Sequence, residues 1–117
     1  MREATEPVTY APLFCRQIED SIAGAVPVPA STPLIITEGN YLLLQSEPWC
    51  QLRTVIDEVW YVDVPEAQRI EWLIARHCAH GKKPWQARER ALGPDERNAE
   101  LIATHKHEAD LVVPLPG

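Results

Sequence analysis

The sequence predicts an α/β fold, a parallel sheet flanked by helices, on three observations. The first is the stretch Pro33-Leu34-Ile35-Ile36-Thr37-Glu38-Gly39-Asn40. Its apolar run has no polar face, and β-branched residues between a proline and a glycine favour a strand over a helix. A strand apolar on both sides suits the middle of a parallel sheet covered by helices. The second is Glu58-Val59-Trp60-Tyr61-Val62-Asp63-Val64, again β-branched and aromatic. The third is the order of segments: strand, helix, strand, helices, strand. Such alternation implies right-handed crossovers and helices packed on a parallel sheet.

Residues 7–33 hold Pro7, Pro12, Pro27, Pro29, Pro33 and Gly24, so helix there is limited to about Leu13 to Ile22. This reads as a long connection, and long ordered loops are more often functional than not. The strand at 34–38 follows, then an apolar stretch from Asn40 to Leu44. Ser46 can cap a helix that Pro48 opens, with Trp49, Leu52, Val55 and Ile56 at helical spacing. After the strand at 58–64, Pro65 opens a helix running to His80. Ile70, Leu73, Ile74 and His77 keep its i, i+3, i+4, i+7 face, and Gly81 stops it. A second helical segment spans Pro84 to Leu92. Gly93-Pro94-Asp95-Glu96 restarts a helix with acids in its first turn, where the helix dipole favours them. It runs to about Lys106, and Asp110-Leu111-Val112-Val113 forms a last short strand ended by Pro114.

The 117 residues suffice for one ordinary domain with one core. A net charge of −6 argues against a nucleic-acid partner, which calls for a basic footprint. A small anionic substrate stays compatible, because a local basic cluster can sit on an acidic body. Cys15, Cys50 and Cys78 are odd in number, widely spaced and free of any C-x-x-C pairing. A reduced, cytoplasmic setting is the simplest reading. No apolar segment approaches the ~18 residues of a membrane span. The first residues lack the apolar centre of a signal peptide.

Several residues carry candidate chemistry. In open α/β sheets, ligands collect at the carboxyl ends of strands. Glu38 ends the 34–38 strand, so it could organise Mg²⁺ through water, since Mg²⁺ takes oxygen ligands from carboxylates and substrate phosphates. Equally, it could be the acid of a strand that stops at a polar loop. Arg69 and Arg76 lie seven apart on one helix and can face one direction. Lys82, Lys83, Arg88 and Arg90 follow, the one basic concentration in an acidic chain. The alternative is a solvated face with ion pairs such as Glu66 with Arg69. Tyr10 could stack on a base or bond a sugar hydroxyl, and Arg16 could clamp polar oxygens. Both could instead anchor a loop. His77 and His80 are three apart on a helix, but no third metal ligand accompanies them.

Four blocks, in order, resemble the second half of the P-loop nucleoside/nucleotide kinase family, which includes uridine kinases and bacterial pantothenate kinases. Tyr10-Ala11-Pro12-Leu13-Phe14-Cys15-Arg16, with Glu19-Asp20, is similar to that family's substrate-side loop. Ile36-Thr37-Glu38-Gly39-Asn40-Tyr41-Leu42-Leu43 is similar to its acid-glycine strand end. Val59-Trp60-Tyr61-Val62-Asp63-Val64-Pro65, continuing to Arg69 and Ile74-Ala75-Arg76-His77, resembles the strand and helix leading into its lid. Glu108-Ala109-Asp110-Leu111-Val112-Val113 resembles its last strand.

The resemblance implies a partial P-loop NTPase fold lacking its first strands. It implies one partial kinase-like domain over 1–117: a substrate-side loop at 7–33, core strands at 34–64, helix and lid at 65–93, and the last helix and strand at 94–114. It also implies ATP and Mg²⁺ as cofactors. Glu38 and Arg69 would bind the cofactor, Arg76 and Lys82 would act as catalytic lid cations, and Tyr10 and Arg16 would face a small-molecule substrate. The sequence departs from the family pattern in one large respect: it contains no G-x-x-x-x-G-K-[ST] phosphate loop. The chain therefore reads as the C-terminal portion of a longer kinase, a truncated gene product or a natural fragment, with little activity alone. The other reading is a non-catalytic module that pairs through exposed sheet edges, as a homodimer or with a companion chain.

Overall fold

The computed structural model describes residues 5–15 and 17–116. The chain forms two compact units, residues 1–37 and 38–117.

The first unit is a hairpin. Strand β1 (Val8–Cys15) pairs antiparallel with β2 (Asp20–Pro29), setting Val8 opposite Pro29 and Cys15 opposite Asp20. Ala30 N–H donates to the Pro7 carbonyl at 2.8 Å and closes the open end. The short helix expected between Leu13 and Ile22 is replaced by these strands, in which Leu13 faces Ile22 across the ladder. The apolar residues of Val26-Pro27-Val28 alternate as a strand does, and that pattern outweighs the prolines. Pro12 lacks an N–H for the ladder, and the register shifts around it, between Ala11 and Leu13. Glu19 adopts φ 52°, the left-handed geometry that lets the turn close. Tyr10, Leu13, Phe14, Ile22 and Val26 are all exposed.

The expected strand at 34–38 does not form. Residues 34–39 have no ladder partner among the described residues. Leu34 and Ile36 are 70% and 84% exposed. A run apolar on both faces becomes a strand only when neighbouring backbone satisfies its edges and helices cover it.

The second unit holds the parallel pair the sequence predicts. β3 (Trp60–Asp63) and β4 (Leu111–Pro114) run side by side, with Trp60 opposite Leu111 and Val62 opposite Val113. The residues between them fold mainly as helices. Helix α1 (Glu66–Ala79) follows Pro65. It ends before Gly81, whose φ of 89° suits glycine as the residue just past a helix. Helix α2 (Pro84–Arg90) has proline in its first turn, and Gln86 Oε1 accepts from Lys83 N–H at 3.1 Å. A π turn over Ala91–Asp95 then leads into α3 (Glu96–Ala103). Pro94 lies inside that turn: it offers no N–H and crowds the preceding carbonyl, and the wider turn accommodates it. So the expected break at Gly93-Pro94 is a change of helical register rather than a loop. The helix expected from Pro48 is a 3₁₀ segment, Trp49–Thr54.

Polar contacts lock this arrangement. Asp110, just before β4, accepts both Arg53 Nη1 and Nη2 at 2.7 Å. It also accepts Val59 N–H at 2.7 Å, while its own N–H donates to the Val59 carbonyl at 2.9 Å. The Arg53 hydrogen bonds, then that of Val59, hold the Asp110 carboxyl down at about 2. Lys106 pairs with Asp63 and sits 5.5 Å from the centre of the Tyr61 ring. On the helical side, Arg69 Nη2 of α1 pairs with Glu96 Oε2 of α3 at 2.6 Å. His77 Nε2 of α1 meets Asp95 Oδ2 at 2.6 Å. Both α2 and the π turn pack against α1, and Ala87 and Ala91 are fully enclosed.

Four outcomes are expected, three from these contacts and one at an exposed position that makes none of them. A carboxyl held below its unfolded value of about 4 adds stability above that pH and loses it as pH falls toward 2. Asp110→Asn is therefore expected to lower the melting temperature at pH 7 by several degrees and to flatten its decline between pH 4 and pH 2, as followed by circular dichroism. Ala91→Leu overfills an enclosed site and is expected to cost about 1–3 kcal/mol in urea unfolding. Arg69→Ala leaves Glu96 without its partner and is expected to cost on the order of 1–3 kcal/mol. Arg76→Ala, at an exposed position, is expected to change stability by less than about 0.5 kcal/mol.

Candidate functional site

The basic residues after Arg69 divide into two sets. Arg69 is committed to Glu96, and its Nη1 is enclosed with no partner among the described residues. Arg76 is exposed near the end of α1. The carbonyl of Arg76 accepts from His80, through both His80 N–H at 3.1 Å and the ring Nδ1–H at 2.7 Å. Lys82 N–H donates to the His77 carbonyl at 3.1 Å, so the turn that carries Lys82 is tied to the end of α1. Among the described residues, Arg76, Lys82, Lys83 and Arg88 form no ion pair.

An open hollow of about 600 Å³ lies between this turn, α2 and the π turn. His80, Lys82, Trp85, Gln86, Glu89 and Arg90 line most of it. Trp85 is 63% exposed there. Arg90 Nε is 3.5 Å from Asp95 Oδ1, a long contact that leaves its guanidinium largely in solvent. The hollow thus joins an aromatic face to two cations, with Glu89 as the lining carboxylate.

The other sequence candidates lie elsewhere. Glu38 is exposed and does not line the hollow, nor does Arg76. No three His, Cys, Asp or Glu side chains among the described residues converge as a metal cluster. An Mg²⁺ held through water by a single carboxylate and substrate phosphates requires no such cluster. Tyr10 lies on β1, opposite Pro27, and is 63% exposed. Arg16 lies outside the described residues. Asn98 accepts from the Tyr41 hydroxyl at 3.2 Å and so holds the 41–44 turn against α3. His77 and His80 are engaged with Asp95 and with the α1 end. No described helix is long and apolar enough to cross a membrane.

The Trp85 hollow escaped sequence reasoning. The one available signal was a tryptophan directly after Lys82-Lys83-Pro84, a polar stretch with no helical apolar face for it to join.

No family model matches the chain. It is 33% identical over 113 residues to the ATP-dependent kinase-like protein notR' of Aspergillus versicolor, a match covering 95% of this chain and 66% of that protein. A crystal structure named for a fructose transport system kinase from Silicibacter sp. TM1040 superposes with a TM-score of 0.82 at 34% identity, over 94% of this chain and 53% of that one. YFH7 of Saccharomyces cerevisiae, described as a P-loop containing kinase with a circular permutation, superposes with a TM-score of 0.74 at 24% identity, over 92% of this chain and 35% of that one. The second likeness speaks to the fold alone. The chain spans about half to two thirds of the lengths of the first two. By sequence this α/β chain is related to ATP-dependent kinase-like proteins, and its fold is that of part of a P-loop kinase.

Proposed function

We propose that the chain is the lid-bearing part of an ATP-dependent small-molecule kinase that transfers a phosphoryl group to a hydroxyl of a nucleoside or similar metabolite, in the cytoplasm. The supporting observation is the set of cations that form no ion pair among the described residues, Arg76 near the end of α1, Lys82 and Lys83 before α2 and Arg88 in α2, on a chain of net charge −6. Phosphoryl transfer is mostly positioning and neutralisation of developing charge, and free cations on a tethered turn suit that work. In this reading Arg76 and Lys82 close over the transferring group. Glu38 organises Mg²⁺ through water when ATP is bound, and Tyr10 and Arg16 face the acceptor. Arg69, paired with Glu96, orients α1. The free thiols of Cys15, Cys50 and Cys78 suit a reducing compartment.

The phosphate cradle that this sequence lacks would come from another polypeptide segment, so the chain alone is expected to turn over no ATP. The test supplies the part of the Aspergillus relative that this chain does not match, fused or in trans, and assays ATP consumption against a panel of nucleosides, sugars and pantothenate. The expected outcome is acceptor-dependent turnover that Lys82→Ala lowers by roughly 10²-fold in kcat. A folded, stoichiometric assembly that phosphorylates none of the acceptors would overturn the reading.

A second reading is favoured by one observation. Trp60, Val62 and Leu111 share a face of the β3–β4 pair and are 58%, 56% and 43% exposed. Parallel strands rarely leave a face bare. A pairing module would bury that face against a second copy or a companion chain. Sedimentation of the chain alone checks this: a concentration-dependent dimer that Trp60→Lys dissociates supports it, and a monomer at all concentrations removes the homodimer.

A further inference from the structure

We infer that the outer face of α1 is a self-association surface, on which α1 of a second copy lies antiparallel across a two-fold axis. This surface is separate from the β3–β4 face and does not rest on the kinase reading. Each residue turns the helix by about 100°, which gives α1 an inner and an outer face. Ile70, Leu73, Ile74 and His77 are half-buried on the inner face, from which His77 reaches Asp95. Ala67, Glu71, Trp72, Ala75, Arg76 and Ala79 are all exposed and form one continuous outer face. Tryptophan is usually well covered in folded proteins, yet Trp72 is 48% exposed here.

The charges on this face select the occupant. Glu71 and Arg76 form no ion pair among the described residues. A two-fold axis at the level of the Leu73–Ile74 peptide sets Glu71 of one copy opposite Arg76 of the second copy, and the symmetry repeats the pair. The same axis lays Trp72 on Ala75 of the second copy and Ala79 against Gln68 of the second copy. Acid meets cation and the largest residue meets a small one on both sides of the axis, which is the self-complementarity a two-fold dimer requires. Alanine at positions 75 and 79 lets the two helix axes approach to about 8 Å, the close end of helix packing. A tryptophan near the centre of such a patch is a typical anchor. One helix pair makes a small interface, so the dimer is a weak one. Arg76 paired across the axis is withheld from a phosphoryl group, so association competes with the role proposed above for Arg76. The measurement therefore follows association and not turnover.

The experiment is sedimentation equilibrium of the 117-residue chain over a range of concentrations. A dimer with a midpoint on the order of 100 µM is expected. Glu71→Arg and Arg76→Glu each set like charges opposite one another on both sides of the axis. Each variant alone is expected to associate at least about tenfold more weakly. An equimolar mixture of the two is expected to recover the association of the unaltered chain, because each variant supplies the charge the other lacks. A merely structural role for either residue would give no such recovery. Trp72→Ala is expected to weaken the dimer by about tenfold, the loss of one central anchor. Circular dichroism verifies that each variant is folded.

A folded chain that stays monomeric up to about 1 mM overturns the surface. So does a dimer that both charge reversals leave intact. A dimer that Trp60→Lys dissociates and Glu71→Arg does not would belong to the β3–β4 face, and it overturns the surface as well. A mixture of the two charge variants that associates no better than either alone overturns the antiparallel register. Failure of the kinase reading looks different: the assembled protein would transfer no phosphoryl group, whatever its oligomeric state.

Discussion

The second unit depends on one carboxylate. Asp110 accepts a forked pair of hydrogen bonds from Arg53 and a third from Val59 N–H. It thereby fixes the 3₁₀ segment, the entry to β3 and the entry to β4 at a single point. Residues 53 and 59 lie 57 and 51 positions from residue 110, so this contact closes the long chain between the two parallel strands. A parallel pair needs a crossover of a dozen or more residues, and each such closure has an entropic cost. An ionised acid with three donors is a strong way to offset that cost, because hydrogen bonds to a charged partner are about twice as strong as neutral ones. With β3 held there, its exit through Pro65 sets the direction of α1, and α1 carries the cationic turn.

The cations are sorted by what they touch. Arg53, Arg69 and Lys106 are spent on Asp110, Glu96 and Asp63, and each joins elements distant in sequence. They hold the scaffold. Arg76, Lys82, Lys83 and Arg88 extend from a region that the other set has already oriented. That division matters for charge chemistry, since a cation already paired neutralises nothing new, while a free one on a rigid base keeps its field for a ligand. The two clamps of α1, Arg69 with Glu96 and His77 with Asp95, lie eight residues apart and grip the helix along most of its length.

Local rules made the helices legible. Pro65, the apolar spacing of Ile70, Leu73 and Ile74, and Gly81 marked α1 to within a residue of its ends. Strands β3 and β4 and their parallel sense were also readable, from β-branched runs on either side of helices. The hairpin was not. Five prolines in 7–33 suggested a connection, and the cross-strand partners that make Leu13 and Ile22 neighbours cannot be seen in either segment alone. The 34–38 run failed for the opposite reason: its composition suits a strand, but a strand is a property of pairs. The cations around the turn after α1 were visible as a basic cluster. The role of Arg69 in holding α3 was not, because Glu96 sits 27 residues away. The hollow depended on the π turn, whose register shift at Pro94 no pattern of apolar residues announces.

The bare, unpaired run Leu34-Ile35-Ile36 has a bearing on how this chain behaves in concentrated solution. It is short, uncharged, rich in β-branched residues and open along its backbone, the composition from which intermolecular cross-β stacking grows. Pro33 on one side cannot donate to a growing ladder, and Glu38 on the other adds a repelling charge to every stacked copy. These flanking residues act as gatekeepers, limiting fibril growth along a segment that a complete sheet would otherwise keep out of reach.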